Sequence, residues 1–437
     1  MKKVMLGFWI VVLGLSLLWF CSLLAGEQTF SQLLGAKAMM QFTGYMAICL
    51  MAIVMVLSLR LQRVDNLLGG LDRSYRLHKW LAITALVFSV IHFFWKDIVG
   101  LLASLGVYTA EPKREGVVKL HDQGREIAEQ AGEVGFYIIA ILIVVALTKF
   151  VPYHWFKKAH KIISLVFVVL VFHSIKLFGD AYWASIVGTV FGVLMFISVI
   201  AAFYALFGRI GTGRRAKGKI VGLTPYDEVG VIEATIEIDK KWKGHKAGQF
   251  AFLMTNPKEG AHPYTIASEW RSDTNELTFI IKALGDWTRQ LRGWMKLDMP
   301  VTVEGPYGDF DFDDTCSHQV WVATGIGVTP FIAKMKERAE SKSDNKVDLF
   351  LAVPVENAEI QARLEQRALD ANVTLHWYIT EREERLSVKD VFDQIDDLSD
   401  TSVWFCGATL LGNSLNNYLV DKGFSKKNFH QELFEFR

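Results

Sequence analysis

The sequence predicts a multidomain membrane protein: a six-helix transmembrane bundle, then a small antiparallel β-barrel, then an α/β domain built on a parallel sheet. Three observations carry that prediction. The 437 residues are 51% hydrophobic and 21% charged, and the apolar excess is crowded before residue 208. Between about 217 and 312, short runs alternate apolar and polar residues, the period-two mark of half-buried strands. From about 319 onward, strand-like runs alternate with helical ones, as in a parallel sheet with crossover helices. With 47 basic and 46 acidic residues, the chain does not read as a polybasic nucleic-acid binder. Cys21, Cys49, Cys316 and Cys406 are far apart, which excludes a C-x-x-C redox pair, a cysteine-only zinc site and a ferredoxin-type cluster, and suggests no disulfide framework. Cys21 and Cys49 sit in apolar runs and read as small buried hydrophobes.

Six apolar stretches lie at about 5–25, 39–59, 77–95, 134–151, 159–178 and 182–207. Most are about 18–22 residues, enough to cross a ~30 Å hydrocarbon core at about 1.5 Å per residue. The first has Lys2 and Lys3 ahead of a long apolar run with no clear small-x-small cleavage site, so it reads as a span rather than a cleaved signal. Basic residues sort the connections. Arg60, Arg63, Arg73, Arg76 and Lys79 lie in one, Lys149, Lys157, Lys158 and Lys161 in another, and Arg209, Arg214, Arg215, Lys217 and Lys219 after the last span. The short loops of the opposite side hold only Lys37 and Lys176, and the long loop 96–133 has five basic and seven acidic residues. The positive-inside rule then places both chain ends in the cytoplasm and 96–133 outside.

Ionisable residues inside spans default to a functional reading. His78 and His92 lie 14 apart on span three, and His160 and His173 lie 13 apart on span five. Fourteen residues return to within ~40° of the same helix face and rise ~21 Å; thirteen leave the second residue rotated by ~140°, so span five needs a local bulge or laterally offset ligands. Spans three and five run the same way, so His78 can face His160 near the inner side and His92 can face His173 near the outer side. Two stacked bis-imidazole sites are what two haems need, each iron taking one neutral imidazole from each helix. The bland alternative is histidines satisfied by interhelical hydrogen bonds. His154, beside Tyr153 and Trp155, reads as an interface residue in a cytoplasmic connection, and His121 lies in the outer loop.

The soluble half begins after a linker at 209–216 containing Gly211 and Gly213. VIEATIEI, GQFAFLM, ELTFIIKAL and PVTVEGPYG read as barrel strands over 217–312; QVWVATG, KVDLFLAVP, VTLHWYIT and TSVWFCGA read as parallel strands over 313–437. A barrel followed by such a sheet suits a flavin on the former and a nicotinamide cofactor on the latter. His262-Pro263-Tyr264-Thr265-Ile266-Ala267-Ser268 ends a strand; its aromatic ring can stack on an isoalloxazine and its hydroxyls can bond the flavin edge, although a Pro-aromatic turn explains it as well. Gly285-Asp286-Trp287-Thr288 opens a helix whose N–H groups, with the Thr288 hydroxyl, can hold a pyrophosphate; Asp286 is also a plain N-cap candidate. Thr324-Gly325-Ile326-Gly327-Val328-Thr329-Pro330 follows a buried strand, with glycines for close approach of a dinucleotide and Pro330 suited to a first helical turn. It is not a full G-x-G-x-x-G. Cys406-Gly407 ends a later strand on the ligand-binding edge, where an inert buried thiol is an equal alternative.

In order, these residues resemble the NADPH oxidase and ferric reductase family, closest to its compact bacterial members, from span two to Arg437. The resemblance rests on the histidine spacings, HPYTIAS, GDWT, EGPYG and GIGVTPF. It implies a haem domain over 1–208 joined to a ferredoxin–NADP reductase-like half. His78 and His160 would ligate the inner haem b, and His92 and His173 the outer. His262 to Ser268, Lys282 and Gly285 to Thr288 would contact FAD. Gly325 to Pro330 and Gly407 would contact NADH or NADPH. Thr265, Cys406 and Phe434 would be the catalytic residues where hydride passes, with Phe434, in the Glu432-Leu433-Phe434 tail, covering the flavin and Phe436 as the alternative. Cys406-Gly407-Ala408 departs from the family's Cys-Gly-Pro. The implied activity is electron transfer from cytoplasmic NAD(P)H through FAD and two haems, across a bacterial inner membrane, to an extracytoplasmic acceptor. The acceptor would be O2, giving superoxide, with ferric chelate or a partner protein as alternatives. No EF-hand loop is present, so no calcium-binding segment or obligatory regulatory subunit is expected. After DLFLAV the chain offers Pro354-Val355-Glu356-Asn357 rather than an arginine for a 2′-phosphate. That favours NADH, while Arg382 and Arg385 in TEREERL argue the other way, and Glu356 can also be read as a mere helix-start residue.

Overall fold

The computed structural model describes residues 2–25, 35–106, 122–148, 153–341, 343, 345–382 and 385–432, and it divides into two units, Met1–Ile210 and Gly211–Glu435. The first unit is helical: α1 Lys2–Ala25, α2 Ala36–Leu57, α3 Gln62–Leu68, α4 Leu71–Phe93, α5 Trp95–Ser104, α6 Gln123–Leu147, α7 Tyr153–Leu177, α8 Asp180–Trp183 and α9 Ile186–Leu206. Five of these are long and apolar enough to cross a membrane, and six spans result if α4 and α5, bent by 58° at Phe94, count as one. The chain is a multi-pass membrane protein. α2 is the central helix, with Tyr45, Met46, Ile48, Cys49, Leu50 and Ala52 all within the core.

Helix bounds depart from the apolar stretches where polar residues extend them. The expected outer loop 96–133 is helical at both ends, in α5 and in the first turns of α6. Asp122 starts α6 by accepting a hydrogen bond from the Arg125 amide at 3.2 Å, so the helix begins well before its apolar part. Hydropathy marks the greasy section of a helix, not its caps. Likewise α7 begins at Tyr153, which puts His154 inside a helix rather than in a connection. α7 runs unbroken through His160 and His173, so no bulge corrects their 13-residue spacing.

In the second unit, β1 Arg215–Tyr226, β2 Val231–Ile238, β3 Phe250–Asn256, β4 Gly260–Thr265, β5 Glu276–Lys282 and β6 Pro300–Tyr307 form an antiparallel sheet in the order β4-β3-β6-β1-β2-β5. An Ile266–Phe279 bridge joins its two ends into a barrel. β1 begins inside the segment expected to be linker. Gly211, at φ +71°, lies against the buried Glu304, whose carboxylate accepts from Arg215 Nε and the Tyr307 hydroxyl, each at 3.0 Å. The tight packing at Gly211 and the Arg215 ion pair fold the linker onto EGPYG.

The second sheet is wholly parallel, in the order β11-β10-β7-β8-β9, with β7 His318–Thr324, β8 Lys346–Val353, β9 Thr374–Ile379, β10 Thr401–Cys406 and β11 Phe429–Glu432. Asp348 in β8, 3% exposed, accepts from His318 Nε2 of β7 and His376 Nε2 of β9, each at 2.9 Å. Burial alone would raise its pKa, but these two bonds outweigh burial and hold the carboxyl below the usual carboxylate range. Its stabilisation is therefore complete above about pH 4 and fades as pH falls toward the lowered value. Asp348→Asn leaves at least one buried N–H without an acceptor, at about 1–3 kcal/mol. Thermal melts should show a gap from wild type that is widest near neutral pH and narrows below about pH 4; a gap that widens on acidification would contradict this balance.

Candidate functional site

The bundle brings all four predicted histidines into pairs. The His78 and His160 ring centres are 6.2 Å apart, and those of His92 and His173 are 6.4 Å apart. An imidazole nitrogen lies about 1 Å from its ring centre and binds a metal ion at about 2 Å, so an ion between two imidazoles sets the centres about 6 Å apart. His78 Nδ1 lies 3.1 Å from the Val54 carbonyl, His92 Nδ1 3.0 Å from that of Met40, and His173 Nδ1 2.7 Å from that of Ala128. A carbonyl only accepts, so Nδ1 carries the proton in all three and Nε2 keeps the lone pair a metal needs. Among the described residues, no group of three or more His, Cys, Asp or Glu is placed to hold an ion. Two imidazoles alone are too few for a zinc-type site, and they fit a macrocycle that brings its own four nitrogens.

Two residues that sequence reasoning missed make room for the His92–His173 pair. A Cβ on Gly44 would stand 2.8 Å from His92 Cε1, and one on Gly132 would overlap the His173 ring. Small residues within apolar spans are the signal, since they mark where helices approach closely.

In the barrel, β4 carries His262 to Thr265. His262, Pro263 and Tyr264 remain half-buried, while Ile266 and Ala267 are fully buried. The Ile266 and Ala267 amides bond the Gln249 and Thr278 carbonyls, and Ser268 Oγ accepts from the Thr278 amide at 3.1 Å. Ile266, Ala267 and Ser268 thus close the barrel, while Tyr264 packs against the barrel core and the His262 ring stays half-buried. The His262 ring stacks on Trp287 at 6.2 Å and 20°, which draws the helix Asp286–Trp294 to β4. Gly285 rather than Asp286 is the N-cap. Thr288 Oγ1 accepts from the Leu284 and Gly285 amides at 2.9 and 2.8 Å, so its hydroxyl serves its own helix entry.

The parallel sheet reverses its strand order between β7 and β10, and crevices at such points are where ligands bind. Gly325 takes a left-handed φ of +54° there, and Thr329 with Pro330 opens the helix Thr329–Ser341, as expected. Gly327 packs on the Cys406 carbonyl, and Thr324 Oγ1 accepts from the Ala408 amide at 2.9 Å. Burial and the nearby Glu432 push the Cys406 thiol well above the usual range, and the residue meets Gly327 through its backbone carbonyl. Between barrel and sheet a cleft of about 250 Å³ is lined by Tyr226 and Lys282 on one side and by Gly325, Ile326, Val328, Glu356, Asn357 and Trp377 on the other. Phe434, Phe436 and His121 lie outside the described residues.

Residues 43–171 match the family model described as "Ferric reductase like transmembrane component", and residues 221–311 match "FAD-binding domain". The chain therefore carries a ferric-reductase-like transmembrane domain followed by an FAD-binding domain, and its relatives include ferric reduction oxidases and respiratory burst oxidase homologs. Ferric reduction oxidase 4 of Arabidopsis thaliana is 32% identical over 97 residues, covering 21% of this chain and 14% of that protein. Respiratory burst oxidase homolog protein E of the same plant is 25% identical over 230 residues, covering 46% and 23%. The chain thus aligns with under a quarter of the length of either relative. Among solved structures, the flavohem-like FAD/NAD-binding domain of nitric oxide dioxygenase from Vibrio cholerae superposes with TM-score 0.43 at 15% identity, over 50% of this chain and 98% of that one.

The close approach at Gly327 is testable. Gly327→Ala drives a Cβ into the Cys406 backbone, an overpacking that costs about 1–3 kcal/mol. Gly213→Ala, with nothing within 4 Å, is the control. Thermal melts should separate the two, and equal melting temperatures would contradict the contact.

Proposed function

We propose that this chain is an oxidoreductase of a bacterial inner membrane that moves electrons from cytoplasmic NADH or NADPH to an acceptor on the far side, with O2 reduced to superoxide. The carrying observation is the two imidazole pairs, each spaced for one iron. When bound, FAD would split a hydride into single electrons and two b-type haems would relay them outward. His78 with His160, and His92 with His173, would hold the two irons. The Val54, Met40 and Ala128 carbonyls keep three of these rings in the ligating tautomer. His262, Tyr264, Lys282 and the Gly285–Thr288 turn would seat the flavin, Gly325 to Pro330 and Gly407 the nicotinamide cofactor, and Thr265 and Phe434 would stand at the hydride path. The cofactor expectation from Glu356 remains NADH.

Ferric-chelate reduction is the second reading. Glu126, Glu129 and Glu133 are exposed on α6, and Ala128 on that helix holds His173. Such carboxylates attract a cationic metal complex. Delivery to a partner protein keeps the same wiring.

The purified chain should hold two haems, and His92→Leu should leave one, read from the haem-to-protein ratio. Gly44→Ala and Gly132→Ala should likewise lower only the outer haem. An unchanged two-haem spectrum in His92→Leu would overturn the assignment. With NADH supplied, cytochrome c reduction abolished by superoxide dismutase supports O2 as acceptor; reduction that persists without oxygen supports the second reading.

A further inference from the structure

The loop between β2 and β3 is tied to the end of HPYTIAS rather than hanging free of the barrel. His245 Nε2 lies 2.9 Å from the carbonyl of Ser268, a residue that is 7% exposed. The Gln249 carbonyl accepts from the Ile266 amide at 3.0 Å, and Gln249 Nε2 donates to the Gly308 carbonyl at 3.1 Å. Lys246 pairs with Asp311 at 2.9 Å. The loop thus spans two segments, the corner at which HPYTIAS leaves β4 and the turn after EGPYG.

The His245 ring is enclosed. It lies between Trp242 and Trp270, with ring centres 6.1 and 5.8 Å away and both indoles edge-on to it. Gly244, at φ +102°, lies so close that a Cβ would stand 2.9 Å from Trp270 Cδ1. A carbonyl only accepts, so Nε2 carries the proton that Ser268 receives. Among the described residues, the buried Nδ1 has no hydrogen-bond partner. The charged groups facing the ring are Glu269, next to Ser268, and Glu337 on the helix Thr329–Ser341. Lys246 is engaged by Asp311, and Lys334 by Glu337. Burial outweighs the two carboxylates and the Ser268 carbonyl and lowers the imidazole pKa. The ring is therefore neutral near pH 7, and its one proton is committed to Ser268.

We propose that His245 is a positioning residue for the flavin, its Nε2–H fixing the Ser268 carbonyl and with it the corner at which HPYTIAS leaves β4, an inference that rests on the flavin reading above. The other bonds of that corner come from β5 and from the Gln249 backbone; His245 adds a side chain from outside the strands. Without it a buried carbonyl loses its donor, and the corner that sets where Tyr264 and Thr265 stand is free to shift. The neutral ring is the holding form. Its contribution is complete above about pH 6.5 and is lost as pH falls through the lowered value.

The test uses the full chain in detergent after removal of flavin, and measures equilibrium FAD binding by flavin fluorescence together with the melting temperature of the flavin-free chain. His245→Gln sets an amide N–H where Nε2 stands and does not titrate; His245→Asn is one carbon shorter and does not reach Ser268. Near neutral pH, the Gln variant should bind FAD within about twofold of the unmodified chain, and the Asn variant about three- to tenfold more weakly, the worth of one hydrogen bond to a buried carbonyl. Between about pH 7.5 and about pH 5.5 the unmodified chain should lose more affinity than the Gln variant. A residue that only stabilises the barrel would shift the melting temperature and leave FAD affinity unmoved in both variants, and that result would overturn the role. Parallel pH curves for the unmodified chain and the Gln variant would overturn it as well, and this comparison decides the matter if the Asn variant does not fold. If the unmodified chain binds no FAD, the flavin reading itself fails; equally tight binding in all three chains leaves that reading standing and removes His245 alone.

Discussion

A carbonyl oxygen cannot give a proton, and this settles the state of three imidazoles in the bundle. Val54, Met40 and Ala128 each present a carbonyl to a histidine Nδ1, and each such ring, when neutral, keeps its proton there and leaves Nε2 bare. The bare nitrogens belong to rings about six ångströms apart at two levels of the bundle. Much of the packing around them follows from that need. α2, the most enclosed of the described spans, supplies the carbonyls for His92 and His78 from positions 14 apart, matching the spacing of the histidines on α4. Gly44 and Gly132 have no side chain because a ring occupies the space.

The soluble unit rests on a different constraint, the reversal of strand order between β7 and β10. Two backbones must approach there closely enough for Gly327 to lie on the Cys406 carbonyl and Gly407 against Thr324. That approach leaves the Gly325 turn and the loop after β8 around one cleft, with Lys282 reaching it from the barrel. The motifs that looked separate along the chain are edges of a single opening.

Much of this was legible from residue order. VIEATIEI coincides with β2, and the four parallel runs became β7 to β10, because alternation and buried apolar runs report directly on which faces are covered. β1 was not legible. Its Arg215, Lys217 and Lys219 read only as basic residues after the last span, and pairing with β2 and β6 makes the segment a strand. β11, FHQE, is too polar to read as a strand; it forms because β10 offers it a ladder and Trp404 stacks on His430 at 3.8 Å. The histidine pairing was legible from spacing, but its carbonyl partners and glycine clearances were not, because they lie on helices far along the chain. The complete burial of Cys406 was not legible either, since burial is invisible in a dipeptide. Glu356 and Arg382, which form an ion pair, were two unconnected charges in sequence, 26 residues apart, joined only by the adjacency of β8 and β9.

The central claim is that each histidine pair holds one iron between two imidazole nitrogens. Low-temperature electron paramagnetic resonance of the purified, oxidised chain tests it directly, because two axial imidazoles force ferric haem to low spin. The account predicts two low-spin signals in equal amount and no high-spin ferric haem. A high-spin signal at stoichiometric level, or a single low-spin centre per chain, would contradict it.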